Sequence, residues 1–434
     1  MVREKKTAAV MIKGGRVLDP SQRLDAEMDV LLRDGRVAEV APRNKLRGSA
    51  DETLNARGLI VAPGFIDLHV HLREPGQSHK ETIVSGTAAA AAGGFTSVCA
   101  MPNTSPVNDS PEITAWMRHP ERGAVVNVLP VAAATVRSQG ERLTDFRALE
   151  RAGAVAFTDD GRPILDEHLM REALRLAAQI GLPVVQHAED TRLTQGCSMH
   201  EGATAFRLGL RGMPVAAEAE IVERDVKLAH QVGARLHVAH VSTAAGLKAV
   251  RRGRRNRARI TCEVTPHHFT LVDENVGQYD TRCKMNPPLR SPDDREALLV
   301  GLADGSVDAI ATDHAPHAAH EKDVEFERAA FGVTGLETAL GLAVLRLHKE
   351  RRVPLLRIVE LLSTGPARVL GLKGRGSLAR GSPADVTVFD PAARWTFHAS
   401  ESRSRARNTP FDGWQLTGKV VATIVEGQFV YRVG

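Results

Sequence analysis

Between residues 65 and 312, short apolar runs alternate with helix-length segments eight times, and few folds accommodate a chain of that rhythm. The strand-like runs fall at 65–71, 95–101, 125–131, 155–157, 184–187, 236–240, 260–264 and 309–312. The intervening stretches, such as 82–92, 166–179 and 217–231, are rich in Ala, Leu, Glu and Arg and predict helices. Eight repeats of strand then helix predict a parallel (β/α)₈ TIM barrel. The competing open, doubly wound sheet would need a glycine-rich phosphate loop after its first strand, whereas here that strand ends in histidines.

Both ends of the chain read differently. Residues 1–61 and 371–434 carry alternating apolar runs and turn signals, among them Asp34-Gly35, and predict a small accessory β-sandwich built from both termini. The N-terminal part reads as antiparallel. The barrel would then occupy 62–370. Gly374-Arg375-Gly376 precedes a strand pattern rather than a helix and reads as a turn.

At 434 residues the chain can bury a large core, and its formal charge of +5 is a mild excess that gives no support to nucleic-acid or membrane binding. Six arginines crowd positions 251–259 and read as a solvated loop or helix end. Cys99, Cys197, Cys262 and Cys283 lie far apart, without the spacing of a disulfide framework or zinc ribbon. A reducing, cytoplasmic setting is expected, because the charged start Met-Val-Arg-Glu-Lys-Lys leads into no apolar signal core.

Enzymes built on parallel barrels place their chemistry at the carboxyl ends of the strands. Strand one ends in His69, His71 and Arg73, strand two in Asn103, and strand four in Asp159 and Asp160. His187 and His240 end strands five and six, and Asp313, His314 and His317 end strand eight. Imidazole binds divalent transition metals well, and histidines two apart on a strand share a face. One such histidine reads equally well as a hydrogen-bonded core residue; a set converging on one mouth reads as a metal site. No lysine occurs from 81 to 226, so strand four can offer a metal the carboxylates Asp159 and Asp160 but no lysine.

Five motifs carry a resemblance to a known family: Gly-Phe-Ile-Asp-Leu-His-Val-His-Leu-Arg-Glu-Pro-Gly at 64–76, Met-Pro-Asn-Thr at 101–104, Phe-Thr-Asp-Asp-Gly at 157–161, Lys-Met-Asn-Pro-Pro-Leu-Arg at 284–290 and Ala-Thr-Asp-His-Ala-Pro-His at 311–317. Together they resemble the amidohydrolase superfamily and, within it, the bacterial class I dihydroorotases, over nearly the whole chain. The resemblance implies two Zn²⁺ per chain. His69, His71 and Asp313 would hold the first and His187 and His240 the second, with Asp160 and a hydroxide bridging them and Asp159 supporting the loop. Two zinc ions bring +4 against three negative charges, which leaves about +1 to activate water and polarise a carbonyl.

The reaction so implied is the reversible cyclisation of N-carbamoyl-L-aspartate to L-dihydroorotate in pyrimidine biosynthesis, with Asp313 as general acid and base. Arg73, Asn103 and His317 match the family's carboxylate-binding positions. Asn286 matches a further substrate contact, His71 also faces substrate, and Phe331-Gly332 matches a backbone contact in a lid-like loop, with the charged run 320–328 before it consistent with a mobile segment. His267 and His268 read as pocket support, and His200, His230 and His237 as core or surface residues.

Two other functions compete. A hydantoinase or allantoinase would share fold and metals, but Arg73 and Asn103 favour a ring bearing a carboxylate. A non-catalytic scaffold for a carbamoyltransferase would have no need of ligands that are all present here. A homodimer, and association with aspartate carbamoyltransferase, are compatible with the resemblance.

Overall fold

The computed structural model describes residues 9–46 and 49–433; the charged hexapeptide at the start of the chain lies outside them. Strands β1 (Val10–Asp19), β2 (Leu24–Arg33), β3 (Arg36–Pro42), β4 (Glu52–Asn55) and β5 (Ile60–Pro63) come first. The parallel elements follow: β6 (Phe65–Val70), β7 (Phe95–Ala100), β8 (Asn127–Pro130) and β9 (Val184–Gln186). After a two-residue pair, β10 (Met199–His200) and β11 (Gly212–Met213), come β12 (Arg235–Val238), β13 (Arg259–Val264) and β14 (Ala309–Ile310). The chain ends with β15 (Val386–Thr396), β16 (Gln415–Val425) and β17 (Gln428–Arg432).

The middle of the chain has a mixed α/β fold. Parallel ladders join β6-β7-β8 in one sheet and β14-β13-β12-β9 in another. The expected strand at 155–157 is not a strand but one bridging residue: Phe157 pairs in parallel with Ala132 on one side and Val184 on the other. Main-chain hydrogen bonds extend the pairing on either side of it: Val155 N–H reaches Pro130 O at 3.0 Å, Ala132 N–H reaches Ala156 O at 3.1 Å, Thr158 N–H reaches Ala132 O at 2.9 Å and Val185 N–H reaches Phe157 O at 2.8 Å. A further parallel bridge joins Val70 to His314. Leu68, Cys99, Val131, Ala156, Val185, Ala239 and Ala311, from or just beyond successive strands, pack into one buried cluster.

Helices begin where capping residues satisfy the first amides. The Thr82 hydroxyl accepts from Ser85 N–H at 3.0 Å ahead of the helix Ile83–Ala92, and Asp166 accepts from Leu169 N–H at 2.7 Å ahead of Glu167–Ile180. The latter ends at Gly181, whose φ of 77° is the left-handed cap that glycine adopts without strain.

The two termini do meet, in a single sheet of eight strands ordered β17-β16-β15-β5-β1-β2-β3 with β4 beside β1. It is mixed rather than antiparallel: β4 and β5 run parallel to β1, because the chain after β3 crosses back before pairing again. Asp34-Gly35 forms the β2–β3 turn with φ of 52° and 70°. The sheet has its own core, with Ile12, Val30, Leu32, Val61, Val386 and Ile424 fully or nearly fully buried. Gly374-Arg375-Gly376 is a turn whose arginine pairs with Asp385. The arginines of 251–259 end the helix Ala244–Arg255 and open β13, where Arg251, Arg252 and Arg254 pair with Asp304, Glu223 and Asp308.

Candidate metal centre and substrate pocket

The ends of the parallel strands deliver the histidines to one place. His69 closes β6 and His71 follows it, with ring centroids 5.3 Å apart. Asp67 fixes this strand end from below: its Oδ1 accepts from His69 N–H at 3.1 Å and from Thr312 N–H at 3.0 Å, tying β6 to the segment after β14. Three of the residues so delivered have positive φ, Arg73 at 62°, His240 at 31° and Asp313 at 47°. Backbone in this region is strained for residues with a side chain, and such strain concentrates where side chains must be aimed.

Asp160 is the hub. Its Oδ1 lies 3.2 Å from His69 Nε2, 3.8 Å from His240 Nε2 and 3.9 Å from His187 Nδ1, while its Oδ2 lies 3.6 Å from His71 Nε2. The residues form two groups able to hold a cation, His69-His71-Asp160 and Asp160-His187-His240, with Asp160 in both. Asp313 stands beside the first group, 3.1 Å from His71 Nε2 and 3.5 Å from His69 Nε2. All of these residues are buried. Neither ring nitrogen of His69, nor Nδ1 of His240, has a hydrogen-bond partner among the described residues. Buried imidazole nitrogens that stand beside shared carboxylates, as His69 Nε2 does 3.2 Å from Asp160, without an aligned hydrogen bond to them fit a nitrogen- and oxygen-ligated divalent metal.

Burial pushes both carboxyls up, but the surrounding histidines outweigh it and hold Asp160 well below, and Asp313 below, the usual carboxylate range. Both are therefore ionised. Burial disfavours a charged His69, yet Asp160 and Asp313 raise it well above an ordinary histidine.

Beyond this cluster lies a cavity of about 230 Å³, lined by His71, Arg73, Asn103, Asn286, His317, Phe331 and Gly332 together with Asp160, His187, His240 and Asp313. Every substrate-facing candidate from the sequence is on its wall. Asn103 Oδ1 lies 2.8 Å from His71 Nδ1, which leaves His71 Nε2 to face the carboxylates. Arg73 donates from Nε to Pro316 O at 3.1 Å, and its Nη2 lies 3.3 Å from His317 Nε2. Burial pulls its guanidinium down to about 10, which leaves it charged near neutrality. Gly332 is not an open donor: its N–H reaches Lys284 O at 3.0 Å, and its carbonyl accepts from Asn408 and Lys322. In the charged run before it Lys322 and Phe326 are buried, while His320, Asp323, Glu325, Glu327 and Arg328 are exposed.

Some residues point elsewhere. Asp159 accepts from Thr135 N–H at 2.8 Å and from its hydroxyl, holding the neighbouring loop. His314 turns away, 3.4 Å from Glu81. His268 bonds Thr265 Oγ1 and Pro287 O, and His200 lies 3.3 Å from Arg290 Nη1. His267 is buried, and burial pushes it down to about 4.

Two carboxylates escaped the sequence reading. Glu263, in β13, lies 3.4 Å from His69 Nδ1 and 3.0 Å from His237 Nε2, which makes His237 part of the site's support. Glu189 lies 2.9 Å from His187 Nε2 and accepts from Asn286 Nδ2 at 2.8 Å, joining the metal cluster to the substrate wall. Burial raises both, but their histidine partners prevail and bring each down to about 2. Glu189, two residues after His187 as His71 is after His69, carried a positional signal. Glu263 stands at the carboxyl end of β13, one residue before its last, as His69 does in β6, and so carried a positional signal as well.

Comparison with known proteins agrees with this arrangement. A family model described as Dihydro-orotase-like matches residues 58–245. The chain is 51% identical over 419 residues to the dihydroorotase of Solibacter usitatus, covering 96% of this chain and 97% of that one. To the dihydroorotase of Geobacter sp. (strain M21) it is 49% identical, covering 98% and 100%. Among solved structures, the L-hydantoinase (dihydropyrimidinase) from Arthrobacter aurescens superposes with a TM-score of 0.88 at 25% identity, covering 98% of this chain and 97% of that one. A D-hydantoinase structure gives 0.85 at 22% identity, covering 98% and 95%.

Proposed function

The chain belongs to the dihydroorotase family, and from that premise we propose that it is a cyclic amide hydrolase interconverting L-dihydroorotate and N-carbamoyl-L-aspartate. The observation that carries the reading is the wall of the cavity, which a buried guanidinium, Arg73, shares with the His-Asp cluster. A ring with a carboxylate finds its cation at one end and the reacting centre at the other.

The cluster fits two divalent ions, read here as zinc: His69, His71 and Asp313 would hold one, His187 and His240 the other, and Asp160 both. When bound, such ions polarise a carbonyl and lower the pKa of water. The rest is the work of the chain. Arg73, Asn103 and His317 take the substrate carboxylate, an arginine fork matching its two oxygens. Asn286 offers the ring a side-chain amide, and the Phe331–Gly332 segment, whose Gly332 N–H and carbonyl are bonded within the protein, bounds it by shape. Asp313, ionised and beside the cluster, takes the proton from the attacking water and returns it to the ring nitrogen as the amide bond breaks; in ring closure it takes the proton from the carbamoyl nitrogen and passes it to the carboxyl oxygen that leaves as water when the C–N bond forms.

This site belongs at the carboxyl face of a closed (β/α)₈ barrel spanning 62–370, with 1–61 and 371–434 as the accessory domain. The bridges Val70–His314, Ala132–Phe157 and Phe157–Val184, which join the edges of the two parallel sheets, support that closure, as does the shared cluster around Leu68 and Val185.

A side-by-side assay on L-dihydroorotate, hydantoin and allantoin, with wild type and Arg73→Ala, tests the assignment. Wild type should prefer dihydroorotate, and Arg73→Ala should lose about tenfold or more in kcat/KM on it while use of the uncharged hydantoin changes little. Preference for hydantoin or allantoin, or equal losses on both substrates, would sink it.

A further inference from the structure

Two lysine ammonium groups lie inside the protein beside the substrate pocket, and each is met by main-chain oxygen. Lys322, 6% exposed, donates to the carbonyls of Ala330 at 2.7 Å, Lys284 at 3.1 Å and Gly332 at 3.2 Å. Lys284, 2% exposed, donates to the carbonyls of Phe326 at 2.7 Å and Glu327 at 2.9 Å, and its Nζ lies 4.4 Å from the centre of the Phe331 ring. An ammonium has three N–H donors on a compact head and no acceptor. Lys322 uses all three on carbonyls, a geometry that neither a planar guanidinium nor an amide reproduces.

Burying a cation is costly, and an apolar side chain would fill the same volume without that cost. What the ammonium groups add is direction. The five acceptors belong to Lys284 and to residues 326–332, so the pair stitches the segment before Asn286 to the segment bearing Phe331–Gly332. The Lys284 carbonyl takes both the Lys322 ammonium and Gly332 N–H, the latter at 3.0 Å. Asn286 and the Phe331–Gly332 peptide come from distant parts of the chain, yet both line the cavity.

We propose that Lys322 and Lys284 are positioning residues, holding the Phe331–Gly332 backbone and Asn286 in register across the pocket so that together they fix the substrate ring. The proposal rests on the reading that these two segments face substrate. It assigns the lysines to ground-state binding rather than to proton transfer, since their donors are turned into the loop.

The test pairs a measurement that needs no activity with one that does. Arg328 is exposed in the stitched loop, so trypsin cleavage after it reports whether the loop is held. In metal-replete Lys322→Met, cleavage after Arg328 should quicken about tenfold, and KM for L-dihydroorotate should rise about tenfold while kcat changes less than about threefold. Lys322→Gln, which keeps two donors, should fall between, and it carries the same comparison if the methionine variant does not fold. Wild-type cleavage and KM in a folded variant would overturn the proposal. So would parallel losses of kcat and bound metal, the mark of general damage. If wild type itself leaves dihydroorotate intact, the reaction assigned above fails, and cleavage alone decides the lysines: faster cleavage supports them and an unchanged rate overturns them.

Discussion

Glu263 shows how a residue with no signature of its own sets the behaviour of one that has it. His69 belongs to a recognisable His-x-His pair, but its ring is aimed by what lies behind Nδ1, and that is a fully buried carboxylate shared with His237. A carboxylate behind a ligating imidazole fixes its orientation and raises its basicity, and losing such a partner typically weakens metal binding about 10- to 100-fold. Glu263→Gln keeps the shape and removes the charge. Its apparent zinc affinity, measured by competition with a chromophoric chelator, should fall by about that range, and an unchanged affinity would show that Glu263 merely fills space. The histidines and Asp160 were legible because their chemistry is rare at strand ends. Glu263 was not singled out although it stands at the carboxyl end of β13, because a lone glutamate in an apolar run announces no partner until its neighbours on β6 and β12 are known.

At the scale of elements, strand identity was legible from apolar runs, and strand length was not. Segment 155–157 is laddered to the end of β8 and the chain after it by main-chain hydrogen bonds of Val155, Ala156 and Thr158, while on its other side it meets β9 through Phe157. In the charged run 320–328 most side chains are exposed, as its composition suggests, yet Lys322 is an interior donor. Burial first, then Lys284, brings Lys322 from 10.5 down to about 7, with Cys283, Asp280 and Glu321 facing it in opposition. The ammonium therefore predominates below about pH 7, and above it the amine keeps only two N–H groups for three carbonyls. KM for dihydroorotate should rise as pH passes from about 6 to about 8.5 in wild type relative to Lys322→Met; parallel profiles would contradict the stitched loop. Stability moves the other way. Between about 7 and 10.5 the unfolded chain binds more protons at this residue, so its contribution to stability increases with pH across that window.

Across the whole molecule, the change of periodicity along the sequence anticipates that strands from both ends share one sheet while the parallel strands lie between them. The order of the terminal sheet does not. β5 lies between β1 and β15, partners more than 300 residues apart in sequence, and no local pattern selects that pairing. None of the helices among the described residues is long and apolar enough to cross a membrane. What unites the molecule functionally is the cluster around Asp160, to which β6, β9 and β12, the segment after Phe157 and the segment after β14 each contribute a ligand candidate. The most direct test is a metal titration of chelator-treated protein, following bound zinc and the loss of dihydroorotate absorbance together. Activity should be absent without metal and rise with zinc to a plateau near two ions per chain, and Asp160→Ala should show neither the stoichiometry nor the activity. Turnover of dihydroorotate by metal-free protein, or none with both sites filled, would contradict the account.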